Sequence, residues 1–102
     1  MVKVIDSADD IPTKGVVIVD FFANWCGPCK RIAPVFEELA QKVPEITFLK
    51  VNVDDSEALS SAFDIEALPT FVCIKDSKVF KRIEGADLNA VIAVIESVRT
   101  NN

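Results

Sequence analysis

The hydrophobic residues of this chain follow two patterns, one typical of buried strands and one typical of amphipathic helices. Residues 16–22 (VVIVDFF) are apolar at both odd and even positions, which predicts a strand buried on both faces of a sheet. From Cys26 onward the apolar spacing becomes helical, with a single stripe. The stripe consists of Ile32, Val35, Phe36, Leu39, Ala40 and Val43. The chain therefore passes from a central strand into a helix near Cys26.

The rest of the chain continues this alternation. Residues 46–53 predict another buried strand, and residues 54–56 offer N-caps for a short helix. Residues 70–74 and 78–83 predict a hairpin around a short polar turn. A last amphipathic helix is expected after the capping residue Asp87. The side chains expected to face inward are Leu59, Ala62 and Phe63 in the short helix, and Leu88, Val91, Ile92, Ile95 and Val98 in the last one.

This order of elements predicts the fold class. Strands that alternate with helices form a central, largely parallel sheet covered on both faces, and a terminal hairpin adds an antiparallel edge. We therefore expect an α/β protein with a mixed, mostly parallel five-stranded sheet flanked by four helices, folded as a single domain over residues 1–102. Active sites in such sheets lie beyond the carboxyl ends of the strands, and Cys26 follows the strand that ends at Phe22.

Composition narrows the functional classes. Of the 102 residues, 50% are hydrophobic and 26% are charged, and the net charge is -5. That is the profile of a globular protein without a basic surface for nucleic acid. No apolar run approaches the roughly 20 residues that a membrane span needs, and the first residues lack the pattern of a secretory signal. We therefore expect a cytoplasmic protein that binds neither nucleic acid nor membrane.

Two of the three cysteines are the candidate chemical groups. A thiolate attacks a disulfide, and the first turn of a helix lowers the pKa of a cysteine through its unpaired N–H groups and its dipole. Cys26 is expected there, with Cys29 on the same side one turn inward. Gly27 and Pro28 suit a first helical turn, and Trp25 would shield the pair. We expect Cys26 to be the nucleophile and Cys29, more buried, to resolve the mixed disulfide.

Other uses of this pair stay open. A zinc site needs four ligands, whereas the chain has no histidine and only one further cysteine, Cys73. The pair could also be two inert core thiols, the centre of a protein-disulfide oxidant or isomerase, or part of a binding module in which redox chemistry is incidental. A histidine between the cysteines would argue for an oxidant, and none is present. The sequence therefore favours a reductant among the redox functions.

Five segments, in order along the chain, resemble the thioredoxin family. Residues 19–30 (VDFFANWCGPCK) are similar to the active-site segment of the family, and Pro34 matches the proline of its second helix. Residues 50–54 resemble the end of its third strand, residues 68–71 resemble its cis-proline loop, and Gly85 matches a glycine beside the substrate groove. The resemblance covers nearly the whole chain and implies a thioredoxin fold and a protein-disulfide reductase.

The resemblance also implies roles for two charged residues. Asp20 is a carboxylate in an apolar strand, so burial should raise its pKa. In the family the matching aspartate accepts and donates a proton for the resolving cysteine. Lys50 matches a lysine that lies near this carboxylate and tunes it; the alternative for Lys50 is a solvated charge at the end of a strand. The alternative is a structural Asp20, bonded to Lys50 or to backbone.

A substrate groove is implied as well. Pro69 is expected to be cis, which would set the backbone of Leu68 to pair with an extended substrate. The lining expected for this apolar groove, together with the proline, is Trp25, Gly27, Pro28, Ala67, Leu68 and Gly85. The chain departs from the family pattern at Leu68, where a β-branched residue or Met is usual, and at residues 75–77, where the turn lacks glycine.

The implied partners are proteins with disulfides and a thioredoxin reductase, a flavoenzyme that uses NADPH. The resemblance implies no bound cofactor and no metal, because the redox group is the Cys26–Cys29 disulfide itself. We expect a monomer. Cys73 lies in an apolar strand and is expected to be a buried structural thiol rather than a regulatory site.

Overall fold

The central strand predicted at residues 16–22 forms with those bounds. The computed structural model describes residues 2–100, so positions 1, 101 and 102 of the predicted domain lie outside it. In chain order the elements are β1 (Val2–Val4), a 3-10 turn (Ala8–Asp10), β2 (Val16–Phe22), α1 (Gly27–Lys42), β3 (Thr47–Asn52), α2 (Glu57–Ala62), β4 (Thr70–Lys75), β5 (Lys78–Glu84) and α3 (Leu88–Thr100). The predicted strand ends are correct to within one residue.

Within residues 2–100, five strands form one mixed sheet in the order β1-β3-β2-β4-β5. Strand β3 pairs in parallel with β1 and β2, whereas β4 pairs antiparallel with β2 and β5. The mixed sheet is confirmed, but it is less parallel than predicted. The reason lies in α2, whose six residues span about 9 Å, less than half the ~20 Å of a six-residue strand. The chain therefore enters β4 from the edge at which β3 ended.

Three α-helices and one 3-10 turn occur within residues 2–100, where four helices were predicted. The first of the four is the 3-10 turn, in which the Ser7 side chain accepts a 3.1 Å hydrogen bond from the N–H of Asp9. This turn buries no side chain. Because short helices depend on burial of an apolar face, nothing extends it into an α-helix.

Three side chains predicted to face inward are exposed instead, namely Val35 in α1, Ala62 in α2 and Ile92 in α3. In α3 the buried stripe runs through Val91 and Val94. Successive residues of a helix are about 100° apart, so Ile92 projects beside this stripe. None of the helices among residues 2–100 combines the length and apolar composition required to cross a membrane.

The sheet has a buried layer on each face. Helices α1 and α3 contribute side chains to one layer, where the Phe36 ring packs against Phe48 and Phe71 with centroids 5.3 and 5.6 Å away. Helix α2 contributes to the other, where Phe63 packs 5.5 Å from Phe21. Strand β2 supplies residues to both layers, which explains its continuous apolar run.

The hairpin turn forms without glycine. Asp76 and Ser77 both have positive φ, 49° and 70°, as in the type I′ turn that favours asparagine and glycine. The Asp76 carboxylate accepts a 2.8 Å hydrogen bond from the N–H of Gly15, and the Ser77 hydroxyl donates to the carbonyl of Thr13 at 3.2 Å. These two hydrogen bonds to the loop before β2 offset the energetic cost of positive φ at Asp76 and Ser77.

Candidate active site

Cys26 and Cys29 are joined by a disulfide at the start of α1, just beyond the carboxyl end of β2. Cys26 is the N-cap of the helix, and its Sγ accepts a 3.2 Å hydrogen bond from the N–H of Cys29. Pro28 occupies the first turn, where its missing N–H costs nothing. Because N–H groups of a first turn stabilise negative charge, the position favours a thiolate at Cys26 once the disulfide is reduced.

Access, rather than burial, distinguishes the two sulfurs. The exposed fractions of Cys26 and Cys29 are 4% and 3%, so the predicted difference in burial is negligible. However, Cys26 lines a surface groove and Cys29 does not. Side chains packed around the disulfide are Phe22, Ala23, Val53 and Leu68. A molecule bound in the groove therefore meets Cys26 first.

The groove beside Cys26 has a volume of about 380 Å³. Its lining consists of Trp25, Cys26, Gly27, Pro28, Val53, Ser60, Ile65, Glu66 and Leu68. Three elements meet there: the start of α1, the end of β3, and the segment between α2 and β4. Of the residues predicted to line it, Ala67, Pro69 and Gly85 do not contribute to this surface.

Sequence reasoning missed part of this lining. Val53 directly follows β3, whose carboxyl end lies at the same sheet edge as that of β2. The rule that sites gather at this edge could have identified it. Ser60, Ile65 and Glu66 reach the groove only because α2 packs there, and no local pattern indicates that placement.

The loop before β4 is held on both sides of Leu68. The peptide bond between Leu68 and Pro69 is cis. The Pro69 carbonyl accepts a 2.8 Å hydrogen bond from the N–H of Gly85, and the Ala67 carbonyl accepts a 2.6 Å bond from the Thr70 hydroxyl. Among the described residues, no hydrogen bond uses the backbone N–H or C=O of Leu68. Ala67, Pro69 and Gly85 thus support the loop, and Leu68 keeps its peptide groups available.

Asp20 lies in β2 and is fully buried. Neither of its carboxylate oxygens has a hydrogen-bond partner among the described residues. Burial raises the pKa of Asp20 from its ordinary 3.8 to about 7, and the positive charge of Lys50 on β3 lowers it in part. The alternative of a carboxylate bonded to Lys50 or to backbone is therefore wrong. The group can accept or release a proton near neutral pH.

Trp25 stands at the entrance of the groove with 70% of its surface exposed. Its indole N–H donates a 2.9 Å hydrogen bond to the carboxylate of Asp54, and the Asp54 N–H donates to the side-chain oxygen of Asn52 at 2.9 Å. The sequence indicated Asp54 as a helix cap and as the end of the segment that resembles the third strand of the family, but not as a partner of Trp25. Its bond fixes the indole, so that a large apolar face stays at the groove.

Cys73 is separate from this site. It is fully buried in β4, and burial raises the pKa of its thiol to about 11, with a smaller opposing effect of Lys81. The expectation of a buried thiol is confirmed. Within residues 2–100, no group of three or more His, Cys, Asp or Glu side chains is arranged to hold a metal ion.

Comparisons with known proteins agree with this geometry. Residues 5–97 match the family model described as Thioredoxin. The chain is 48% identical over 93 residues to a Thioredoxin H-type of Picea mariana, covering 88% of this chain and 74% of that protein. It is 50% identical over 76 residues to Thioredoxin H-type 1 of Nicotiana tabacum, covering 74% of this chain and only 60% of that protein. It is also similar to a chain in the crystal structure of a complex of ferredoxin:thioredoxin reductase and thioredoxin f2, with a TM-score of 0.88, 35% identity, and coverage of 96% of this chain and 94% of that one.

Proposed function

Because this chain belongs to the thioredoxin family, we propose that it is a protein-disulfide reductase and electron carrier. It works by reversible dithiol–disulfide exchange at Cys26 and Cys29. The observation that carries the proposal is the cysteine pair at the start of α1, with Cys26 open to a groove and Cys29 behind it.

The first step is attack by the reduced protein. The Cys26 thiolate attacks one sulfur of a substrate disulfide, forming a mixed disulfide, and the other substrate sulfur leaves as a thiolate that takes up a proton. The N-cap position supports this role, because the first-turn N–H groups favour the anionic sulfur. The groove supports it because Cys26 faces the substrate side.

The second step is resolution. Cys29 gives up its proton, and its sulfur attacks the Cys26 sulfur. The Cys26–Cys29 disulfide forms, and the second substrate sulfur leaves as a thiolate, so that two electrons have passed to the substrate. Asp20 accepts the proton of Cys29 through water, since its pKa of about 7 suits proton transfer at neutral pH. Lys50 tunes this carboxylate through its charge.

Substrate proteins bind as extended segments beside the cysteines. The free N–H and C=O of Leu68 pair with the substrate backbone, as in the addition of a strand to a sheet. An apolar surface for the substrate side chains is supplied by Trp25, Gly27 and Pro28. Because backbone bonds do not depend on side-chain identity, this mode of binding accepts many proteins.

A reductase must restore the dithiol after each turnover. We propose a thioredoxin reductase that takes its electrons from NADPH, acting on a monomeric carrier in the cytoplasm. One solved relative is bound to a ferredoxin:thioredoxin reductase. The direct test supplies the oxidised chain with each of the two reductase types in turn. Rapid recycling by the ferredoxin-dependent enzyme alone would overturn the NADPH assignment.

The test of the main proposal measures insulin reduction with dithiothreitol as electron donor, and the midpoint potential of the Cys26–Cys29 pair against glutathione. A reductase catalyses insulin reduction and has a potential more negative than that of glutathione. A more positive potential would indicate an oxidant or isomerase. Full cellular function of the variant with both cysteines replaced by serine would indicate a binding module.

A further inference from the structure

Helix α2 ends in a tight reversal that leads directly into the groove. The N–H of Asp64 donates to the carbonyl of Ser61 at 3.1 Å, and the N–H of Ile65 donates to the carbonyl of Ser60 at 3.0 Å. This pair of bonds defines a Schellman motif, in which the residue at the position of Asp64 is usually glycine. Asp64 has a φ of 53°, a conformation that costs aspartate less than most residues but more than glycine. Hydrogen bonds from elsewhere in the chain would therefore stabilise the reversal.

Arg82 of β5 provides that support. Its guanidinium donates one hydrogen bond to the carbonyl of Phe63 and another, of 2.5 Å, to the carbonyl of Asp64. Carbonyls at the end of a helix have no donor within it. The Glu84 carboxylate lies 3.6 Å from the Arg82 Nε and helps to orient the guanidinium. Because the donors of arginine form a rigid fork, one side chain fixes two successive peptide groups.

The segment fixed in this way forms part of the groove. Ser60 and Ile65, joined by the Schellman bond, both line it beside Cys26, as does Glu66. Arg82 itself is not part of the lining. The contacts that connect its guanidinium to the groove wall are those with the carbonyls of Phe63 and Asp64.

We infer that Arg82 is a positioning residue for substrate binding: it holds residues 63–66 in the conformation that shapes the groove beside Cys26. The inference rests on the proposed disulfide-reductase function and adds to it a residue that does not touch the substrate. Without the guanidinium, two terminal carbonyls lose their donors while Asp64 keeps its unfavourable backbone. The groove wall then samples other conformations. Protein substrates, which fill the groove, are affected, whereas small disulfides need only access to Cys26.

The test compares R82M, which keeps a long side chain but removes the donors, with the matched control K78M, which removes a positive charge at the other end of β5. We expect KM for insulin to rise about threefold to tenfold in R82M, as for the loss of one or two hydrogen bonds. The kcat with insulin and the rate with a small aromatic disulfide stay unchanged. K78M should have the same insulin KM as the original chain. R82K, which keeps a positive charge and hydrogen-bond donors, should raise the insulin KM less than R82M does.

Asp64→Gly supplies an independent check. Glycine adopts positive φ without cost, so the reversal depends less on Arg82 in the D64G background. We expect R82M to raise the insulin KM much less in D64G than in the original chain. Amide hydrogen exchange should accelerate at Asp64 and Ile65 in R82M and stay unchanged in α1, which a general loss of stability would not produce.

The outcomes separate this inference from the function on which it rests. An unchanged insulin KM in R82M overturns the role of Arg82, and so does equal slowing with insulin and with the small disulfide. Either result leaves the disulfide-reductase proposal intact. An original chain that reduces neither substrate overturns the proposed function itself, whatever the behaviour of R82M.

Discussion

Lys50 is the partner of Asp20 in the register of β3 and β2, yet its ammonium lies 4.5 Å from the centroid of the Phe22 ring. Within residues 2–100 it forms no ion pair with the carboxylate. A direct ion pair would hold the pKa of Asp20 low, whereas burial without a nearby positive charge would raise it further. The observed arrangement gives a pKa of about 7. Asp20 therefore titrates where a proton relay at neutral pH requires.

Asp20 should make the protein less stable as pH rises. The carboxyl group titrates at its ordinary 3.8 in the unfolded chain and at about 7 in the folded one. Between these values the folded state holds a proton that the unfolded state has released, so the free energy of unfolding falls by about 1.4 kcal/mol per pH unit. Below pH 3.8 both states are protonated and the effect vanishes. Above pH 7 the full cost, on the order of 4 kcal/mol, is present.

The variant D20N, which stays neutral, should therefore be more stable than the original chain by roughly 4 kcal/mol at pH 8, with the difference disappearing near pH 4. Urea unfolding of the oxidised protein at pH 4, 6 and 8 measures this. D55N, at an exposed position, is the matched control and should show no such gain. A difference in stability between D20N and the original chain that does not vary with pH would contradict the raised pKa of the buried Asp20.

The groove predicts different fates for the two single-cysteine variants. Because Cys26 faces the groove and Cys29 lies behind it, C29S should form a mixed disulfide with a substrate protein and fail to resolve it. C26S should form none. Non-reducing electrophoresis with mass spectrometry detects the trapped species. Insulin reduction by C26S, or equal trapping by both variants, would contradict the roles assigned to the two cysteines.

The bond between Trp25 and Asp54 predicts a specific loss of substrate affinity. D54A removes the acceptor of the indole N–H, so Trp25 gains mobility and the insulin KM should rise about twofold to fivefold, as for the ~0.5–1 kcal/mol of one solvent-exposed hydrogen bond. The chain has a single tryptophan, so a fall in fluorescence anisotropy reports on this residue alone. D55A, next along the chain, should leave both quantities unchanged. A higher KM with unchanged anisotropy would argue against loss of indole order as the cause.

Several features of the site could be predicted from local patterns in the sequence. The apolar run of β2 and the helical spacing after it placed Cys26 at a strand-to-helix junction, and a carboxylate inside that run indicated the raised pKa of Asp20. These features depend on neighbours in sequence, so a pattern reveals them. Pro69 required the family resemblance, because local sequence rarely determines a cis peptide bond.

The remaining features depend on long-range contacts. Trp25 meets Asp54, and Arg82 meets the end of α2, only because the sheet places their strands and loops at one edge. The antiparallel entry of β4 follows from the shortness of α2 rather than from any pattern within β4. Likewise, helical spacing predicted that Ile92 faces inward. Which stripe of α3 is buried depends on how α3 packs on the sheet, and Ile92 lies outside that stripe.

Cys73 should be inert in the folded protein and reactive once the chain unfolds. Its side chain is fully buried, and burial raises the pKa of its thiol to about 11. At pH 8 the thiolate is therefore scarce and also shielded from reagents. With Cys26 and Cys29 oxidised, a colorimetric disulfide reagent should detect no thiol in native buffer and one per chain in concentrated guanidinium chloride. Labelling of Cys73 at the same rate under both conditions would contradict its burial and reopen the alternative of a regulatory thiol.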